Sequence, residues 1–132
     1  MIVVDTCAVL WDALEPGKLT AKARKAIARA DENRELLLCD ISLWEIAMLV
    51  NRKRVIVDET PANLLRLILS ARRYNVLSIT PEMAELSVTL GSDINGDPAD
   101  RLIVAASILN QAPIVTADEN LLKSRLIETI WH

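Results

Sequence analysis

Five acidic residues, remote from one another along the chain, stand where elements begin or end: Asp5, Glu45, Asp97, Asp100 and Asp118. Asp5 closes the apolar run IVV. Glu45 lies early in SLWEIAMLV, Asp97 and Asp100 sit in DPADR ahead of LIVAASILN, and Asp118 follows PIVTA. Carboxylates gathered within a few Å repel and hold on to protons unless a cation neutralises them. The lone histidine is His132, and Cys7 and Cys39 stand apart with no CxxC pair, so the available donors are hard oxygens. Such donors favour Mg²⁺ or Mn²⁺ over zinc. An ion of that kind acidifies bound water and offsets charge on a phosphoryl oxygen, chemistry that a chain without a usable histidine otherwise lacks. The pattern points to phosphodiester hydrolysis.

A plainer reading exists for each acid alone. Ser42 to Glu45 fits a capping box, with Ser42 as the cap and Glu45 reaching back. Asp97-Pro98-Ala99-Asp100 fits a cap, a proline at the first helical position and an acid favourable to the helix dipole. Asp118 and Asp5 can each cap the helix that follows. Capping, however, needs no particular sheet edge, whereas a metal site requires distant segments to meet.

The elements place all five at one such edge. IVV, ELLLCD, NVLSI and APIVTAD read as short buried strands, with ETIW as a candidate fifth. Helices are expected over CAVLWDAL, 20–33, SLWEIAMLVNR, 61–73, 81–91, DPADRLIVAASILN and ENLLKS, with Thr60-Pro61 and Thr80-Pro81 as start signals. Strands alternating with helices imply a central, mostly parallel sheet covered on both faces, an α/β/α sandwich of four or five strands. In such sheets ligands bind beyond the carboxyl ends of the strands, and each of the five acids falls there.

At 132 residues, with 52 % apolar side chains and only three glycines and five prolines, a single domain over 1–132 is expected. Apolar runs break at Asp5, Asp12 or Asn110, short of the ~20 residues a membrane span needs. No basic region precedes an apolar one at the N-terminus, so a cytoplasmic location is expected. Both cysteines read as small buried apolar residues.

Four ordered motifs carry a family resemblance: Asp5-Thr6, Ser42-x-Trp44-Glu45-Ile46-Ala47, Asp97-Pro98-x-Asp100-Arg101-Leu102-Ile103-x-Ala105 and Thr116-x-Asp118. In order and spacing they resemble the acidic motifs of PIN-domain ribonucleases, above all the VapC toxins of bacterial and archaeal toxin-antitoxin pairs, and the similarity runs the whole chain. The resemblance implies a PIN-like sandwich and a Mg²⁺- or Mn²⁺-dependent endoribonuclease held inactive by a cognate antitoxin. It also implies a homodimer. It makes Asp5, Glu45, Asp100 and Asp118 the catalytic and metal-binding quartet. Asp97 becomes an accessory candidate, first of all the helix cap. Thr6 and Thr116 are expected to hold waters or a neighbouring carboxylate. Arg101 is expected to pair with Glu45 or Asp97, ahead of a role on the scissile phosphate.

A net charge of −3 argues against an RNA substrate only until the quartet is set aside, which leaves +1 before any divalent ion is added. Arg52-Lys53-Arg54, Arg72-Arg73 and the helix around Lys22 to Arg29 are candidate phosphate contacts, or solvated surface. Trp11 and Trp44 are expected in the core, with a groove for an antitoxin segment as the other option. A haloacid-dehalogenase-like phosphatase needs a second aspartate where Cys7 stands, and a receiver domain needs a lysine closing the last strand. The remaining alternative is an inactive PIN-fold binding module whose acids serve only as caps.

Overall fold

The computed structural model describes residues 1–132. Its centre is a five-stranded, wholly parallel sheet of β1 (Ile2–Val4), β2 (Leu36–Cys39), β3 (Tyr74–Leu77), β4 (Ile114–Val115) and β5 (Thr129–Ile130). The strand order is β3-β2-β1-β4-β5. The expected sandwich is therefore present with five strands.

Side chains alternate between the two faces, as strand geometry demands. Ile2, Val4, Leu36, Leu38 and Val115 point to one face. There they meet α1 (Thr6–Leu14), α2 (Ala21–Glu32), α3 (Asp40–Asn51) and α4 (Pro61–Ala71) through Val9, Ile27, Ile46 and Ile68. Val3, Leu37, Cys39 and Ile114 point to the other, against α5 (Pro81–Thr89), α6 (Pro98–Asn110) and α7 (Glu119–Lys123), through Met83, Ile103 and Leu121. Both faces are covered, which is why the central strands are continuous apolar runs.

The strand order reverses at β1 and β4. The connection leaving β1 runs over one face and the connection entering β4 over the other, so a crevice opens at their carboxyl ends. The two strands pair Val3 with Ile114 and Val4 with Val115, and Asp5 N donates to the Val115 carbonyl at 3.0 Å. That bond fixes Asp5 at the lip of the crevice.

Local chemistry sets the helix starts. Thr20, Thr60 and Thr80 cap through their hydroxyls, accepting from Ala23 N at 3.1 Å, Asn63 N at 3.2 Å and Met83 N at 3.1 Å. The helices expected at 20–33, 61–73 and 81–91 run 21–32, 61–71 and 81–89. One start differs in kind. α3 begins at Asp40, directly out of β2, with no side-chain cap, so Ser42 is an interior residue and the capping box is absent. Asp40 instead accepts from Ile79 N at 3.2 Å, tying the helix start to the loop after β3.

Candidate active site

Asp5, Glu45, Asp97, Asp100 and Asp118 line one cavity of about 340 Å³, together with Thr6, Cys7, Trp11, Leu49 and Ala117. The sheet edge delivers Asp5 and Asp118, α3 delivers Glu45, and the first turn of α6 and its cap deliver Asp100 and Asp97. No lysine or arginine lines the cavity. The carboxylates share this space without converging on a point: no three of them stand at metal-ligand spacing.

Three of the five also cap helices. Asp97 Oδ1 accepts from Ala99 N at 2.9 Å and Asp100 N at 3.2 Å. Asp118 Oδ1 accepts from Asn120 N at 2.8 Å and Leu121 N at 3.1 Å. Asp5 Oδ1 accepts from Thr6 N at 2.8 Å. Each cap uses a single oxygen, so capping and ligation do not exclude each other. Glu45 and Asp100 cap nothing.

Hydroxyls hold two of the carboxylates. Thr116, fully buried, donates to Asp5 Oδ2 at 2.8 Å and accepts from Asp118 N at 3.0 Å, coupling the ends of β1 and β4. Thr6 donates to Glu45 Oε1 at 2.5 Å. Both threonines therefore hold neighbouring carboxylates, one of the two roles the sequence offered them.

The electrostatics follow from packing acids together. Burial pushes the Asp5 carboxyl up, the bonds from Thr116 and Thr6 pull it back, and the charges of Asp118 and Asp97 raise it again. Glu45 is likewise raised by burial, opposed by the Thr6 bond and helped by Asp5 and Asp97. Asp100 is pushed up to about 7, by burial first and then by the charges of Asp5, Asp97, Asp118 and Glu45, with no hydrogen bond opposing them. The Cys7 thiol rises to about 11 through desolvation and the charges of Asp5, Glu45, Asp100 and Asp118.

Several expectations are corrected. Arg101 pairs with neither Glu45 nor Asp97. Its guanidinium donates to the carbonyls of Ser87 at 2.8 Å, Ile94 at 3.0 Å and Leu90, closing the C-terminal end of α5 and the loop beyond. The carbonyls left open at a helix end are natural partners for a cation. Cys7 is exposed while Cys39 is buried. Trp44 is 59 % exposed rather than in the core, because α3 turns that face outward, and Trp11 is half-buried with its ring 5.8 Å from that of Trp131. Arg72 grips Asp12 through two bonds of 3.0 and 2.9 Å and reaches Asp31 at 3.3 Å, so it is committed within the fold.

Sequence reasoning overlooked Ser42 as part of the site. It is fully buried, and its hydroxyl lies 2.9 Å from that of Thr6. Its spacing from Glu45, three residues on a helix, was the available signal.

Comparison with known proteins agrees with the geometry. The PIN domain model matches residues 2–125. Ribonuclease VapC22 of Mycobacterium tuberculosis (strain ATCC 25618 / H37Rv) is 34 % identical over 132 residues, 98 % of each chain. Among solved structures, VapBC2 from Rickettsia felis bound to a promoter DNA fragment matches with a TM-score of 0.72 at 14 % identity, over 98 % of this chain and 97 % of that one. DNA-bound VapBC from Salmonella typhimurium matches at 0.71 and 14 %, with the same coverage. At such identities these structures speak for the fold alone. The family model across nearly the whole length and the relative at 34 % identity together show that this chain belongs to the PIN-domain family.

Proposed function

We propose that the chain is a divalent-cation-dependent endoribonuclease and the toxin of a toxin-antitoxin pair. The observation that carries the reading is the cavity, which gathers five carboxylates from four chain segments and no basic side chain. Its carboxylate oxygens fit Mg²⁺ or Mn²⁺, and Asp5, Glu45 and Asp100 are raised toward protonation by burial first and by neighbouring carboxylates after it. The kinship with a protein named a ribonuclease, and the likeness to toxin-antitoxin complexes, support the substrate and the partner.

In this reading Asp5, Asp100 and Asp118 hold the cation, and Glu45 holds a second ion or orients the attacking water. Such an ion, when bound, acidifies water and offsets charge on a phosphoryl oxygen. The chain's own task is to fix the donors beforehand. Thr116 and the Thr6 amide each occupy one oxygen of Asp5, so that carboxylate cannot rotate away. Asp97 starts α6 and thereby aims Asp100. Arg101 holds the α5–α6 loop rather than substrate. Action in the cytoplasm, a cognate antitoxin and a homodimer complete the proposal.

Purified protein is expected to cut RNA internally with Mg²⁺ or Mn²⁺. Asp5→Asn should abolish cutting while keeping the native circular-dichroism spectrum. Undiminished cutting by that variant, or in excess chelator, would overturn the reading. The binding-module alternative has its own support in the three capping acids and the absence of a ready ligand cluster. Calorimetric titration separates the two, because a module whose acids are only caps takes up no Mn²⁺.

A further inference from the structure

We infer that Ser42 is a positioning residue for Glu45, acting through Thr6 in a buried relay of hydroxyl groups. The inference rests on the proposed role of Glu45 in the reacting centre. It concerns a residue that neither caps a helix nor lines the cavity.

Hydrogen counting sets the direction of the relay. The Thr6 hydroxyl has one proton, and at 2.5 Å from Glu45 Oε1 that proton goes to the carboxylate, which can only accept when ionised. Thr6 Oγ1 also lies 2.9 Å from Ser42 Oγ, so Ser42 must be the donor of that second bond. The order is Ser42 to Thr6 to Glu45. Each bond polarises the next, so the link to the carboxylate is stronger than a lone hydroxyl would make it.

The relay also joins two elements. Thr6 opens α1, whereas Ser42 and Glu45 share one face of α3. Ser42 is completely buried and lies outside the cavity lining, so bulk solvent does not reach its position to replace a lost hydroxyl. A serine inside an apolar helix face is costly unless it is paired. Its pairing here fixes the Thr6 rotamer and, through it, Glu45.

The test compares wild type, Ser42→Ala, Thr6→Val and the double variant. In RNA cleavage at saturating Mn²⁺, Ser42→Ala is expected to lower kcat roughly tenfold with KM unchanged. The same change should have no further effect in the Thr6→Val background. In metal-free, isotope-labelled protein, side-chain couplings of Glu45 should report one rotamer in wild type and averaging in Ser42→Ala. Unchanged kcat and unchanged couplings in Ser42→Ala overturn the inference, as does an additive loss in the double variant. A wild type that shows no metal-dependent cleavage sinks the nuclease reading instead, and the Glu45 couplings still decide whether the relay positions that side chain.

Discussion

At the scale of single residues, the acids differ in how firmly they are held. Asp5 has a donor on each oxygen, whereas Asp100 has none opposing its burial. Asp100 therefore carries the clearest pH signature. Its folded pKa, about 7, lies above the ordinary value of 3.8, so the folded state binds more protons than the unfolded one between those limits. The contribution of Asp100 to the stability of the metal-free protein therefore falls as pH rises from about 4 to 7. Asp100→Asn should flatten that slope, as urea titrations across the range would show, and a slope as steep as wild type would contradict it. That Asp5, Asp97, Asp100 and Asp118 would line one cavity was legible because they recur at one kind of junction; Glu45 lies inside α3, which starts earlier than its sequence signals suggest. Ser42 escaped notice because serine before an acidic residue is a common cap signal, and only tertiary packing reveals that the helix had already begun.

At the scale of elements, the capping signals read well at Thr60-Pro61, Thr80-Pro81 and Asp97-Pro98. They failed at α3, which runs straight out of β2 with no capping side chain at all. Asp97 is the test of that logic: Asp97→Ala should cost about 1 kcal/mol and Asp97→Ser much less, measured by chemical denaturation. A larger loss of RNA cleavage than of stability in Asp97→Ser would show that its carboxylate also serves the chemistry. Arg101 was misplaced because its partners are backbone carbonyls, which leave no mark in a sequence. Arg72 is similar in kind. It ties α1, through Asp12, to α2, through Asp31, and the Asp12 side chain is only 7 % exposed. Arg72→Ala leaves that carboxylate without its partner and should cost about 3 kcal/mol. A negligible change in denaturation midpoint would show that the pair contributes little.

For the whole molecule, alternating strands and helices announced the parallel sandwich, yet strand order is not written in periodicity. The reversal at β1 and β4 emerges only when the sheet is assembled, and it is this reversal that brings Asp5 and Asp118 to one crevice. With acidic walls and no basic side chain in that crevice, a bound cation would have a stabilising role as well as a chemical one. Mn²⁺ at a hundredfold excess over its Kd should add about 2.7 kcal/mol to stability, several degrees in Tm. The most direct measurement is a crystal soaked in Mn²⁺ and recorded at an anomalous wavelength. A peak in the cavity ligated by Asp5, Asp100 and Asp118 is the predicted result; no peak there, with Asp97 and Asp118 still bonded only to their own helix amides and Asp5 only to Thr6 N and Thr116, would contradict the account.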